Sequence, residues 1–575
     1  MSKDPDARDA RHPIQGVIAV LVVLAIFVAI PLRTTGYLLQ LGTDTLAAVT
    51  LAYGWNLIGG FAGYFSFGQV SFYGLGAYAT ALLVLHLHMP WYFAVLVSGL
   101  VGAGAALVLG RIMLRLRGIL FALGMLGLAR ILEVVFNNWH YAGASVGLSL
   151  PAVLTPVAVY VGMGLLALVS FGITAYFVHS GFGLDVMSLN EDEDAAGAVG
   201  VATTRVKVIA FVLSGLLPAI AGGLTAWNHS YIDPTSAFDP GVDLLTVVYV
   251  MFGGIGTLFG PLIGAVVLMI IGEEFLVYFP NLELALYGIV IIATVLAFPG
   301  GLVGLANRFG WLMRPIILAP RRLPAGQAPE RPQRSGTIPV LETRDLTVRF
   351  GGLTAVDRVS LKVNRGEFLC IIGANGAGKT TLFNAITGVI APSSGQILYF
   401  GEPVGHLPTF RRAQRGMARS FQIPRLMPSF TVWENVVLAA RHGRQSHRVV
   451  EHTAWVLHTL GLAEMWRDPV ARLTPGFQRQ LEFARVLALS PELVMLDEVM
   501  AGMTREEQEQ VRRVIRRLPE FGIAGVALVE HVIAAVADLS DRMVVLDFGR
   551  MIAEGKPEDV LKDPVVVRAY LGEAV

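Results

Sequence analysis

The residues Gly373 to Thr381, reading GANGAGKTT, have types and spacing that could do chemistry. They fit the pattern G-x-x-x-x-G-K-[ST], in which successive main-chain N–H groups turn inward on phosphate oxygens. The candidates to hold a nucleoside triphosphate are Gly373, Asn375, Gly376, Ala377, Gly378, Lys379, Thr380 and Thr381. Lys379 would reach the terminal phosphates as a point charge, and the Thr380 hydroxyl would ligate Mg²⁺. Such a loop must sit between a strand and a helix. Phe368–Ile372 reads as the buried strand, and Thr380 onward as the helix whose positive end adds to the attraction.

Other residues in the same half complete a phosphate-handling set. The apolar strand Leu493–Leu496 ends in Asp497-Glu498, one carboxylate to orient Mg²⁺ and the next to polarise an attacking water. Gln422, in RSFQIPRLMP, is placed to contact metal and nucleotide, and His531, after the strand Ala527–Glu530, to contact the γ-phosphate. Phe350, about twenty residues before the loop, can stack on adenine. Glu498, His531 and Gln422 are thus the catalytic candidates, and Thr380, Gln422 and Asp497 the Mg²⁺ candidates. In this order and spacing the set resembles the ATPase domains of ABC transporters.

The rest of the chain has a different texture. Over 575 residues, 54% are hydrophobic and only 15% charged, and the mean hydropathy is +0.61, which excludes an ordinary soluble protein. The excess lies in residues 14–305, a succession of apolar runs, whereas 340–575 read as a soluble domain. A net charge of +1 gives no reason to expect nucleic acid. The single cysteine, Cys370, lies in the strand before the phosphate loop and reads as a core thiol.

Residues 1–13 are a polar, cytoplasmic N-terminus, and Gly16–Leu32 is too long for a signal peptide core and reads as a retained first span. Further runs at Leu41–Gly60, Tyr64–Leu85, Tyr92–Gly110, Ile119–Phe136, Leu154–Val178, Val206–Trp227, Leu244–Phe252, Pro261–Ile271 and Leu284–Phe298 give about ten spans, the two shortest reading as half-helices or a re-entrant pair. Arginine and lysine clusters at Arg8/Arg11, Arg111/Arg115/Arg117, Arg205/Lys207 and Arg308/Arg314/Arg321/Arg322 fall on one face, which must be the cytoplasm because the ATPase follows the last.

Two features of the spans stand out. In Gly54–Tyr78 glycines recur closely, either for tight helix crossings or because a broken helix offers N–H groups to an anionic solute; Ser66, Gln69 and Ser71 are the candidates to line a solute path there. Arg130 and Glu133 share a helical face and read either as functional charges or as an ion pair tying two helices. Gly54–Tyr78, Leu116–Trp139 and Gly253–Pro261 together resemble the permease subunits of branched-chain amino-acid ABC importers. This sequence departs from that pattern in placing Arg130 before Glu133 and in reading AGASVG at Ala142–Gly147.

The loop Gly181–Arg205 opens its centre with acidic residues and continues in alanines, a composition for a short helix with negative charge at its N-terminus. The resemblance implies that Glu191, Asp192, Ala195 and Ala196 belong to a coupling helix that fits a groove on the ATPase. Residues 306–339 form the linker, whose stretch Pro320–Pro339 reads as an extended, unpacked tether reaching some 60 Å at about 3.1 Å per residue.

One motif is off pattern. Where the ABC signature Leu-Ser-Gly-Gly-Gln is expected, the chain reads Leu473-Thr-Pro-Gly-Phe477; Thr474 and Gly476 keep a hydroxyl and a close backbone approach, while Pro475 removes an N–H. Ala501–Thr504 lacks an aspartate that many relatives carry. Because ABC ATPases close as pairs, each nucleotide lying between one subunit's phosphate loop and the other's signature, the resemblance implies either a different partner ATPase with an orthodox signature or a competent variant signature.

The expected protein is therefore a polytopic α-helical membrane domain followed by an α/β ABC ATPase domain, using ATP and Mg²⁺ to import a small polar solute, with branched-chain or related amino acids first by resemblance. The expected partners are a second permease and ATPase, heteromeric rather than homodimeric, a separate extracytoplasmic solute-binding protein and membrane lipid of the inner membrane. An exporter half-molecule and an ATP-regulated channel or sensor are the alternatives.

Overall fold

The computed structural model describes residues 36–151, 154–279, 282–308, 314–329, 338–500, 505–530 and 537–571. It divides into two compact units, Met1–Asn190 with Thr204–Pro315, and Glu191–Thr203 with Ile316–Val575. The expected first span, Gly16–Leu32, lies outside the described residues.

The first unit is helical, as lipid demands of a backbone that must satisfy its own N–H and C=O groups. Its elements are α1 (Gly36–Trp55), α2 (Gln69–Leu87), α3 (Trp91–Met113), α4 (Ile119–Asn138), α5 (Pro156–His179), α6 (Gly181–Glu191, at the edge of the unit), α8 (Thr203–His229), α9 (Pro240–Gly253), α10 (Gly260–Tyr278), α11 (Glu283–Ala297) and α12 (Gly301–Arg308), with α7 (Glu193–Ala198) in the second unit. Among the described residues six stretches are long and apolar enough to cross a membrane: α2 to α5, α8 and Ala285–Asn307. The two short expected spans form a helical hairpin, α9 running 14 residues and α10 running 19.

The Gly-rich stretch contains a real break. α1 runs into a π-helical turn, Asn56–Phe61, and helix resumes only at Gln69. Side chains hold the irregular backbone. The buried Asn56 donates from Nδ2 to Thr257 O at 3.1 Å and accepts from Gly256 N at 2.9 Å, and Trp55 Nε1 donates to Ser66 O at 2.7 Å. Glycine also serves a crossing: a Cβ on Gly76 would lie 1.9 Å from Ala219 O, so α2 and α8 meet backbone to backbone.

Arg130 and Glu133 hydrogen-bond to each other within α4. The reading of a pair that ties two helices is thereby corrected: at i,i+3 the two side chains reach each other along one helix face, and Arg130 remains 58% exposed on the surface of the unit.

The second unit is an α/β domain with two sheets. The antiparallel sheet has the order β4-β3-β6-β7, from β3 (Leu341–Phe350), β4 (Leu353–Val363), β6 (Ser394–Tyr399) and β7 (Glu402–Pro403); β1 (Leu148–Ser149) and β2 (Tyr231–Ile232) pair separately in the first unit. The larger sheet has the order β12-β11-β5-β10-β9-β8, from β5 (Glu367–Gly373), β8 (Met417–Arg419), β9 (Leu493–Asp497), β10 (Gly525–Val529), β11 (Arg542–Asp547) and β12 (Arg550–Gly555). All its pairs are parallel except β11–β12. Its central strands are buried over their whole length, as expected for a sheet covered on both faces. Leu369, Ile371, Leu382, Phe383, Met495, Ala527 and Val544 share one core with Leu346, Val348 and Val356 of the antiparallel sheet. The helices that matter below are α13 (Lys379–Thr387), α14 (Thr409–Gln414), α15 (Val432–His442), α16 (Val449–Thr459) and α17 (Pro475–Ala488).

Over its described residues 314–329 the linker is not the unpacked tether its composition suggests; residues 330–337 lie outside the described residues. Ile317 is buried, its N–H donates to Glu434 Oε1 at 3.1 Å, and its carbonyl accepts from Trp433 Nε1 at 3.2 Å. Farther along, Arg321 O accepts from Arg467 Nη2 at 3.0 Å, Pro324 O from His458 Nε2 at 3.1 Å, and Gln327 N donates to Glu451 O at 3.2 Å. A proline-rich backbone has no partners of its own for these carbonyls and loses little chain entropy on docking, so the rings of Trp433 (α15) and His458 (α16) and the Arg467 guanidinium fix it as a strap.

His452 of α16 is buried. Its Nε2 lies 3.2 Å from Ala488 O and 2.9 Å from Ser490 Oγ, while Nδ1 has no hydrogen-bond partner among the described residues. Burial pushes its pKa down to about 4 although the contacts to Ala488 and Leu487 carbonyls favour the cation. Protonation therefore favours the unfolded chain, so this contribution is complete above the free value near 6.5 and is lost as pH falls towards 4, on the order of 3 kcal/mol in all. Denaturant unfolding of the full chain should weaken over that window, and His452→Gln should flatten the slope. An unchanged slope would refute this role.

Candidate nucleotide site

Parallel strands bring the chemistry to one sheet edge. In register, Ile371 faces Val529 and Val529 faces Asp497, so the ends of β5, β10 and β9 lie side by side and release the phosphate loop, Glu530 and the Asp497-Glu498 pair at the same carboxyl-terminal rim. His531, which follows, lies outside the described residues, as does Ala501–Thr504.

The loop after Gly373 exposes Asn375 and Gly376, buries Ala377, and ends in Gly378, the N-cap of α13. Gly378 has φ +94°, and a Cβ there would lie 2.3 Å from Ala355 O of β4, so only glycine closes this turn against the neighbouring sheet. Lys379 folds back over the loop, donating from Nζ to Gly373 O at 2.8 Å and Ala374 O at 3.0 Å. Burial holds its pKa below the usual lysine range, opposed by Glu498 and Asp497. Thr380 is exposed and Thr381 half-buried at the start of α13, whose N–H groups face the loop. Phe350 closes β3 opposite Leu353 at the tip of the β3–β4 hairpin and is 48% exposed, which leaves a ring face free for a base.

Asp497 is buried and pairs with Arg419 at 3.4 Å, also buried. Burial raises the Asp497 pKa and lowers that of Arg419, so on both partners desolvation outweighs their mutual attraction. Asp497 Oδ1 has no hydrogen-bond partner among the described residues. An acceptor-only atom in that state, next in the chain to Glu498, whose carboxylate meets the exposed Gln422, suits a hard divalent cation such as Mg²⁺. Glu498 has φ +48°, a left-handed conformation that costs about 1–3 kcal/mol for a residue with a side chain, and its N–H donates to Val529 O at 2.9 Å. Its carboxylate Oε2 accepts from Gln422 Nε2 at 2.5 Å.

Gln422 belongs to a stretch that the helix α17 holds from beneath. Arg479, Glu482 and Arg485, three residues apart on one face, meet it in turn: Arg479 Nη1 donates to Gln422 O at 3.0 Å, Glu482 Oε1 accepts from Phe421 N at 2.6 Å, and Arg485 donates to Arg425 O. Burial raises the Glu482 pKa and lowers that of Arg485 to about 10, the Phe421 N–H and neighbouring charges opposing it. Sequence reasoning passed over both residues. The available signal was two charges three apart on a helix face that otherwise reads as core.

The same stretch meets α7. Asp192 caps α7 by accepting from Ala195 N at 2.9 Å, and Arg425 Nη1 reaches Asp192 at 3.5 Å and Asp194 at 3.6 Å. Ser429 N donates to Glu191 Oε2 at 3.4 Å, Arg485 Nη2 to Ala195 O at 3.4 Å, and Gln414 Nε2 to Gly200 O at 2.8 Å; Ala195 and Ala196 are buried. All of these contacts lie within the second unit.

Thr474 is the N-cap of α17 with no side-chain cap hydrogen bond, and Thr474, Pro475 and Phe477 are exposed with Gly476 half-buried beside them. Pro475 occupies N1, where a missing N–H leaves no intrahelical bond unmade. The helix start therefore presents its hydroxyl and remaining N–H groups outward.

Ser66, Gln69 and Ser71 lie in the first unit and are not part of this site. Ser66 Oγ accepts from Gly68 N at 3.3 Å within the loop, whereas Gln69 and Ser71 are buried at the start of α2.

Comparison with known proteins places both halves. A family model described as "Branched-chain amino acid transport system / permease component" matches residues 37–295, one described as "ABC transporter" matches 356–501, and one described as "Branched-chain amino acid ATP-binding cassette transporter" matches 550–575. High-affinity branched-chain amino acid transport ATP-binding protein BraF of Pseudomonas aeruginosa is 38% identical over 252 residues, covering 41% of this chain and 99% of that protein. The ATP-binding protein LivG of Escherichia coli (strain K12) is 36% identical over 252 residues with the same coverage. Among solved structures, MJ1267, an ATP-binding cassette of an ABC transporter in its ADP conformation, is 28% identical, covers 41% of this chain and all of that one, and has a TM-score of 0.37. With a transport permease component and an ABC ATPase that hydrolyses ATP to drive transport in one polypeptide, the chain belongs to the branched-chain amino-acid ABC transporter family.

Proposed function

We propose that this protein is a fused permease–ATPase half of an importer in the inner membrane, taking branched-chain or related amino acids inward from a separate solute-binding protein. The observation that carries the reading is the permease-component match over 37–295 on the same chain as the ATPase. The full span count is about ten, counting the expected first span and the short hairpin α9–α10.

In the ATPase, Lys379 and the loop N–H groups hold the triphosphate and Phe350 stacks on adenine. Thr380, Gln422 and Asp497 hold Mg²⁺, which when bound neutralises phosphate charge. Glu498 accepts a proton from the water that attacks the γ-phosphorus; a new P–O bond forms, the bond to the β-phosphate oxygen breaks, and ADP and phosphate leave. His531 contacts the γ-phosphate. Gln422 links this event to transport, because the stretch that carries it also carries Arg425, which holds the acidic start of α7. Glu191, Asp192, Ala195 and Ala196 are the coupling residues.

Thr474 and Gly476 would contact a nucleotide held by the partner ATPase, with Phe477 in place of the amide residue of the orthodox motif. A heteromeric partner with an orthodox signature gives one strong and one weak hydrolytic site. Arg130 on the exposed face of α4 supports a second permease there, because a charge facing lipid at a helix midpoint costs about 3 kcal/mol or more.

Vesicles reconstituted with all subunits and energised with ATP should accumulate leucine, isoleucine or valine. No accumulation, or equal accumulation with Lys379 replaced by Ala, overturns the reading.

A further inference from the structure

The break before α2 ends on a buried carboxylate that the sequence pattern did not single out. Asp243 of α9 is 1% exposed, and its Oδ1 accepts from Val70 N at 3.0 Å, capping the N-terminus of α2 from another helix. Its Oδ2 has no hydrogen-bond partner among the described residues. The residue at the start of that helix, Gln69, is also 1% exposed, and both atoms of its side-chain amide are without partners there. Four residues beyond Val70, about 6 Å along the axis, a Cβ on Gly74 would lie 2.4 Å from the Phe238 ring, which stacks nearly parallel to Tyr78 at 6.1 Å and lies 5.3 Å from Phe136.

A carboxylate removed from water needs a charged or multiply donating partner, and the backbone N–H groups of Val70 and Gln69 at the helix start leave Oδ2 without a matched donor. Asp243 has no Lys or Arg partner among the described residues. An unmatched carboxylate oxygen asks for a cationic donor; an unmatched amide at a positive helix end offers N–H to an anion; an aromatic wall one helical turn away accepts an apolar side chain. A zwitterionic α-amino acid carries all three complements.

We propose that Asp243 and Gln69 form a recognition site for an α-amino acid in transit, the ammonium donating to Asp243 Oδ2 and the carboxylate accepting from the Gln69 amide, with the side chain towards Phe238. This inference rests on the importer reading above. The rival is that Asp243 only caps α2. Asp243→Asn separates the two, because Asn keeps the cap acceptor and loses the charge.

The test is uptake of radiolabelled leucine into vesicles holding the complete transporter and its binding protein. Asp243→Asn is expected to lower uptake at least ~10-fold, Asp243→Glu to restore a substantial part of it, and the thermal midpoint of Asp243→Asn to stay within a few degrees of wild type. Gln69→Leu, which leaves the cap intact, is expected to lower uptake comparably and decides the matter should Asp243→Asn fail to assemble. Wild-type rates in both Asp243→Asn and Gln69→Leu, or in Gln69→Leu alone where Asp243→Asn does not assemble, overturn this site and leave the importer reading standing. A wild-type transporter that accumulates no amino acid overturns both.

Discussion

Glu498→Gln should bind ATP about as well as wild type and turn it over roughly 10²–10⁴-fold more slowly. The amide is nearly the shape of the carboxylate, and it can still meet Gln422, which lies 2.5 Å from Oε2. What it cannot do is take the proton of the attacking water. The left-handed backbone at Glu498 puts the effect in the side chain and nowhere else, since Gln bears the same φ of +48° at the same cost. Single-turnover hydrolysis alongside equilibrium binding of a fluorescent ATP analogue checks this; wild-type turnover in the variant would remove Glu498 from the reaction. In the assembled complex, disabling the two catalytic glutamates one at a time should give unequal losses if the partner ATPase bears the orthodox signature.

Lys379→Ala should weaken nucleotide binding instead, by on the order of 10- to 150-fold, the worth of a charge-assisted contact of about 1.5–3 kcal/mol. In the structure the ammonium rests on the carbonyls of Gly373 and Ala374, so its removal also frees two acceptors of the loop that carries the phosphate-facing N–H groups. Lys379→Arg should not rescue fully, because a planar fork does not fit the space of a compact ammonium. Titration with the ATP analogue measures the loss. A variant that binds as tightly as wild type would place the triphosphate elsewhere.

How much of this could be read from residues alone follows the range of the interactions. The phosphate loop was legible because its function is local: a strand, a turn that needs Gly378 at positive φ, and a helix start are consecutive in the chain. The Asp497-Glu498 pair announced itself as two acids closing an apolar strand. Asp243 did not, because it stands one residue before the apolar run Leu244–Phe252 and reads as an ordinary acid in the first turn of a helix. Nothing adjacent shows that its oxygen serves Val70, 173 residues away. The strap misled for another reason. Proline and arginine describe how a segment behaves when free, and the donors that fix it, Trp433, His458 and Arg467, lie more than a hundred positions later. Pro475 was legible as a departure, but its harmlessness to α17 depended on its landing at N1.

The seating of α7 dictates a schedule for biogenesis. Arg485, which holds Ala195, is 290 residues downstream. At about 5–20 residues per second, a ribosome needs some 15–60 s to make that distance. For most of that interval Glu191–Thr203 has been synthesised without its binding partners, the first of which, Gln414 and Arg425, follow their contacts by 214 and 233 residues, and a closing loop of such length is slow to find itself by diffusion. That segment thus waits on the catalytic domain that follows it, and a truncated product ending before Gln414 would lack all of the side-chain partners named above and leave the peptide as an exposed tag for quality-control proteases.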